Sequence, residues 1–165
     1  MNEKDLQSII SRVVSEVKNS SEPLRTVRTV TLSLAKRLAA EVELEAARIG
    51  VKPVVVVADS SGRPILCEVT DGAFIASYDV ALQKAFTVTA LKMSTADLKP
   101  LAQPGGSLYG IQFTNDCHIV VFGGGEPLRD GGEVVGGLGV SGGTEAEDAA
   151  LAAFGAKVFA RLLAE

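Results

Sequence analysis

Apolar residues open the chain at helical spacing. Leu6, Ile9, Ile10, Val13, Val14 and Val17 stand at i, i+3, i+4, i+7, i+8 and i+11. Lys4, Gln7, Ser8, Arg12, Ser15 and Glu16 occupy the opposite face. The pattern predicts an amphipathic helix over residues 1–18, with Asn2 as its cap and Asp5 near the positive end of its dipole. Asn19–Pro23 breaks the periodicity and reads as the start of a linker over residues 19–30. Periodicity resumes from Leu32 to Ile49, with Thr31 placed to cap and Gly50 placed to end the helix in a left-handed conformation.

The period then changes. Pro53–Asp59 is β-branched and apolar on both faces, as a buried central strand should be. Asp59–Arg63 is a turn, and Pro64–Thr70 returns as the second strand of a hairpin. A long helix follows over about Ala76–Lys92, then a cap at Ser94 or Thr95 and a loop through Lys99–Gly106. Ile111–Phe113, His118–Phe122 and Glu133–Ser141 read as three further strands, the last two separated by a loop at Gly123–Gly132. A terminal helix runs from Glu145 to about Leu163. Five strands with segregated helices predict an α+β fold built on an antiparallel sheet.

Bulk composition narrows the function. At 165 residues and 47% hydrophobic content the chain supports a globular domain. A net charge of −4, scattered basic residues and only 5% aromatics argue against a nucleic-acid partner. Fully apolar runs such as Val54–Ala58 are far too short to span a membrane, and the polar N-terminus lacks a signal-peptide pattern. A cytoplasmic location is the expectation, with Cys67 and Cys117 as free thiols. Two cysteines and one histidine do not make a tetrahedral Cys/His zinc site.

The stretch Gly137-Leu138-Gly139-Val140-Ser141-Gly142 matches the G-x-G-x-x-G of a dinucleotide-binding loop. That fingerprint needs a second strand and an acidic residue further on. Residues 143–165 read as helix throughout, so the second strand has no room. Thr144 and Glu147 form a capping box, and Glu145, Glu147 and Asp148 already supply negative charge at the helix start. The glycines are better read as a strand that lets another surface approach closely: a helix, a subunit or a flat ligand.

Gly50–Gly62, Ala81–Leu91, Gln103–Ile111 and above all Gly123–Asp148 ("GGGEPLRDGGEVVGGLGVSGGTEAED") resemble the GlcG/HbpS-like haem-binding family. The same domain forms the C-terminal part of PduO-type corrinoid adenosyltransferases, and Gly110–Asp116 and Phe122–Leu128 bring the chain nearest that branch. The resemblance implies a five-stranded antiparallel sheet flanked by helices, in a profilin-like layout, over residues 31–165. It implies homo-oligomers, with dimers building to octamers, and a link to haem or, second, to corrinoid metabolism. The ATP-binding helical bundle of an adenosyltransferase has no counterpart in this chain, so that activity is not expected of it alone. Residues 1–18 resemble the encapsulation peptides of bacterial microcompartment cargo, which implies a shell protein or another cargo protein as partner and the compartment lumen as location. Packing of that helix on its own domain, or at a subunit interface, is the alternative.

Haem sets what to look for among the side chains. His118, the single histidine, is the first candidate for an iron ligand. If residues 118–122 form a strand, alternation puts Cys117 and His118 on opposite faces, so they would not share one iron. Cys117 and Cys67 are thiolate candidates, and Tyr109 a ligand or pocket wall. Lys84 is placed to pair with a carboxylate or a propionate, and Arg129 with a propionate. Gly105 and Gly106, Gly123–Gly125 and the strand containing Gly139 are candidates to wall a shallow flat pocket. Ordinary packing or solvation is the alternative for each residue, and Met93 reads as core filler. The expected function is a haem- or tetrapyrrole-binding accessory protein, non-enzymatic, serving a microcompartment. The alternatives are an enzyme on a small metabolite or redox cofactor, and a ligand-free assembly protein.

Overall fold

The computed structural model of the chain describes residues 3–19 and 26–165. Helix α1 (Glu3–Asn19) comes first. Its apolar stripe is exposed, with Leu6, Ile9, Ile10, Val13 and Val14 each about half accessible. The expected linker over residues 19–30 lies partly outside the described residues. Asn19 is the last helical residue, residues 20–25 lie outside the described residues, and Val30 is already buried, its N–H bonded to Val135 O at 3.0 Å.

The remaining elements are α2 (Leu32–Arg48), β1 (Val54–Asp59), β2 (Pro64–Val69), α3 (Ile75–Leu91), α4 (Thr95–Leu101), β3 (Gly125–Asp130), β4 (Glu133–Ser141) and α5 (Glu145–Leu163). All strand pairings are antiparallel, in the order β2-β1-β4-β3. The α+β class with helices flanking the sheet is as expected, but the sheet has four strands among the described residues, not five.

The difference lies in two segments. Ile111–Phe113 is a 3-10 turn entered through Gly110, and His118–Phe122 is not paired into the sheet. Ile119 and Val120 are nevertheless buried, which is why their sequence mimics a strand. Conversely, Gly125–Asp130, expected as loop, is strand β3. It tolerates Pro127 because it is an edge strand, and a register shift between Leu128 and Arg129 absorbs the irregularity. Gly131 and Gly132, both at positive φ (55° and 88°), make the two-residue turn that joins β3 to β4.

Two layers of helix enclose the sheet. On one face α2 and α5 bury Leu38, Val42, Val55, Val57, Leu138, Val140, Leu151 and Phe159 in the main core. On the other, α3 meets Val54, Val56 and Ala58 through Ala81 and Ala85. β1 is therefore buried on both faces, as its unbroken valine run requires. Thr31 accepts the Leu34 N–H at the start of α2, and Thr144 and Glu147 complete the capping box of α5.

Candidate functional site

The glycines of β4 are occupied by the fold itself. A Cβ on Gly139 would stand 2.1 Å from Ala81 O, and one on Gly137 would stand 2.4 Å from Ala85 O. Helix α3 thus lies directly on the bare face of β4, while Leu138 and Val140 point into the opposite core. Gly139 has no face left for a cofactor. The surface that approaches the glycine-rich strand is the chain's own helix.

The start of α5 is closed in the same way. Asp148 Oδ1 accepts the N–H groups of Gly142 (3.1 Å) and Gly143 (2.9 Å), and Glu147 accepts that of Thr144 (2.7 Å). Donors that would cradle a phosphate are taken by carboxylates.

Lys84 is fully buried rather than exposed. Its ammonium donates to Asp148 Oδ2 and to Val140 O, each at 2.8 Å, and lies 4.9 Å from the centre of the Phe122 ring. The expected carboxylate partner exists and is Asp148, which leaves the amine sealed away from any propionate. Burial pushes the Lys84 pKa down, and Asp148 beside it pushes the other way. Gly124 makes room for this group, since a Cβ there would meet Lys84 Nζ at 2.4 Å.

His118 and Cys117 sit together on an exposed turn and not on a strand, so the argument from sheet faces does not apply to them. Asn115, Asp116 and Cys117 all hold positive φ (51°, 54° and 62°), an uncommon run for residues with side chains. The turn is closed by Cys117 N–H to Thr114 O and His118 N–H to Asn115 O, both at 3.0 Å. Behind it, the Thr87 hydroxyl accepts the Val120 N–H at 3.0 Å and anchors the segment to α3. The imidazole meets Phe86 edge to face, with centroids 6.1 Å apart, and neither ring nitrogen has a hydrogen-bond partner among the described residues. Cys67 lies half-buried on β2, where burial and Glu68 push its thiol pKa up and away from the thiolate.

The same connection, residues 102–124, carries most of the other exposed aromatic side chains. Tyr109 and Phe113 are 63% and 74% exposed, too open to be core residues. Gly106 shapes the beginning of this loop, because a Cβ would meet Leu101 O at 2.2 Å, whereas the same position at Gly105 faces open space. Buried within the loop, the Gln112 Oε1 has no hydrogen-bond partner among the described residues. The sequence offered Phe113 and Gln112 only as part of an expected strand and of the family-like stretch Gly110–Asp116, not as site residues. Arg129 stands elsewhere, at the far end of β3, where its guanidinium donates to Lys92 O (2.6 Å) and Gly132 O (3.1 Å).

The family described as "Haem degrading protein HbpS-like" matches residues 30–157, all but the ends of the folded domain. The chain belongs to the HbpS-like family. An uncharacterised 15.0 kDa protein of Citrobacter freundii, from the dhaT-dhaS intergenic region, is 43% identical over 136 residues, 82% of this chain and 96% of that protein. The corrinoid adenosyltransferase PduO of Citrobacter freundii is 30% identical over 145 residues, 87% of this chain but only 42% of PduO. Among solved structures, Klebsiella pneumoniae ORFY superimposes with a TM-score of 0.81 at 40% identity, covering 84% of this chain and 96% of its own. A PduOC:Heme complex superimposes at 0.75 with 30% identity, covering 78% and 94%. HbpS-like membership thus accounts for the three-layer domain and leaves α1 outside the matched region.

Proposed function

We propose that this HbpS-like protein binds haem, or a related tetrapyrrole, as an accessory protein within a bacterial microcompartment. The observation that carries the reading is its likeness to the PduOC:Heme complex across nearly the whole folded domain. The exposed turn at Cys117–His118 supports it chemically. A histidine with both nitrogens free, a neighbouring accessible thiol and exposed Tyr109 and Phe113 on one connection suit an iron and a flat apolar ring. Corrinoid is the second ligand to test. The carboxylate-paired Lys84 and the packed Gly139 are structural in this reading, and Gly106 shapes the loop after α4.

Helix α1 supports the location. A 17-residue helix with its apolar stripe in water is marginal alone and gains stability by laying that stripe in a groove of a partner. A shell protein or fellow cargo is the partner we assign to it, and the lumen the resulting address. The folded domain assembles as a homo-oligomer, with dimers building to octamers. Exposed Phe74, Ile75 and Tyr78 at the start of α3 and Val69 on edge strand β2 are apolar surface suited to subunit contact.

Removing residues 1–25 tests the address. The truncated chain is expected to fold, to keep its ligand and to stop co-purifying with shells. Undiminished co-purification contradicts targeting by α1.

A further inference from the structure

A cavity of about 290 Å³ lies away from the Cys117–His118 turn and takes none of its lining from residues 102–124. We propose that it binds a small, multiply charged anion, a metabolite carrying phosphate or clustered carboxylate groups. This goes beyond the tetrapyrrole reading, because a cavity of this size holds a phosphate ester of a few carbons and not a macrocycle.

Three cations from three separate elements converge on it: Arg28 before α2, Lys92 after α3 and Arg129 on β3. Thr26 adds a hydroxyl, and Glu133 is the one acidic residue in the lining. Arg28 pairs with Asp130, which offsets one positive charge. Arg129 has no carboxylate in salt-bridge contact, although Glu126 lies near enough to feel its charge. Its fork is fixed by two backbone carbonyls, Lys92 O and Gly132 O, which orients it without neutralising it. The Lys92 ammonium has no partner among the described residues. Positive charge therefore exceeds negative in the cavity wall, and one member of the set is already held in place.

Lys92 supplies the second observation. It caps α3 in the left-handed conformation, φ 57° and ψ 29°, where glycine or asparagine would sit at lower cost. The backbone of this position favours glycine, yet it carries a lysine that lines the cavity. Strain kept at a charged residue beside a cavity is a mark of use rather than of packing.

Titration of the full chain with inorganic pyrophosphate, and separately with citrate, at about 0.15 M salt tests this. Calorimetry gives the affinity, and amide chemical shifts give the place. The expected result is saturable binding of at least one anion, with shifts confined to Thr26–Arg28, Lys92 and Arg129–Val134. Lys92→Gly is expected to weaken that binding at least tenfold while leaving the melting temperature equal or higher, because it relieves the left-handed lysine. Pyrophosphate preferred over citrate identifies a phosphate ligand, and the reverse a carboxylate ligand. Binding of neither anion, or binding unchanged in Lys92→Gly, overturns the proposal.

Discussion

Lys84 and Asp148 make the clearest single-residue case for how this domain separates structure from chemistry. A buried ammonium beside a buried carboxylate is costly to desolvate, and hydrogen bonds to both groups offset that cost here. Lys84 reaches a carboxylate and a carbonyl, and Asp148 also receives two backbone N–H groups. Removing one partner strands the other. Lys84→Met should lower stability by about 3–5 kcal/mol in urea denaturation, while haem affinity per folded molecule stays unchanged. Sequence pointed to the lysine and to carboxylate pairing; the burial that removes it from a binding role depends on Asp148, 64 residues away.

Glu43 gives a residue-scale prediction of a different kind. Burial, the charge of Glu68 and a hydrogen bond to Glu68 all raise its pKa above the ordinary glutamate value of 4.5. The folded state therefore holds its proton more tightly than the unfolded state. The stabilisation is fully present below pH 4.5 and is lost as pH rises through the higher folded value. Glu43→Gln keeps the hydrogen bond and removes the repulsion. It should raise the melting temperature at pH 7 and flatten the fall in stability above about pH 5.

At the scale of elements, the relation between α3 and β4 determines what the glycine-rich strand does. Ala81 and Ala85 bring the helix backbone down onto Gly137 and Gly139, so the sheet and helix share one close seam. Gly139→Ala forces its Cβ against Ala81 O and should destabilise by about 1–3 kcal/mol or more, seen as a lower midpoint in thermal unfolding followed by circular dichroism. A cofactor stacked on that strand would instead predict a loss of binding with little loss of stability. The long helices, the valine strand and the capping box were legible in the sequence because each depends on local periodicity or local hydrogen bonding. β3 was not, because Gly125 and Pro127 read as loop and only its edge position makes them tolerable. Its one local signal was Gly131-Gly132, a two-residue hairpin turn standing directly before β4. The segment 118–122 misled in the opposite direction, since burial of Ile119 and Val120 needs apolar residues without needing a strand.

For the whole molecule, the proposed function gives the address to the amphipathic helix α1 and the binding to the three-layer HbpS-like domain. The domain's resemblance to its family was legible from Gly123–Asp148, a segment rich in glycines with distinct jobs: close packing at Gly139, room for the buried Lys84 at Gly124 and the hairpin turn at Gly131-Gly132. The placement of candidate ligands was not legible. Cys117 and His118 are both exposed on a turn with three consecutive positive-φ residues, a conformation that neither alternation nor propensity signals. The central claim is that this turn presents a haem ligand. Haem titration of the full chain, followed by Soret absorbance with cobalamin in parallel, tests it most directly. The account predicts a saturable Soret shift that His118→Ala reduces at least tenfold without altering the melting temperature. A shift of equal size and affinity in His118→Ala, or no saturable shift with haem, would contradict it.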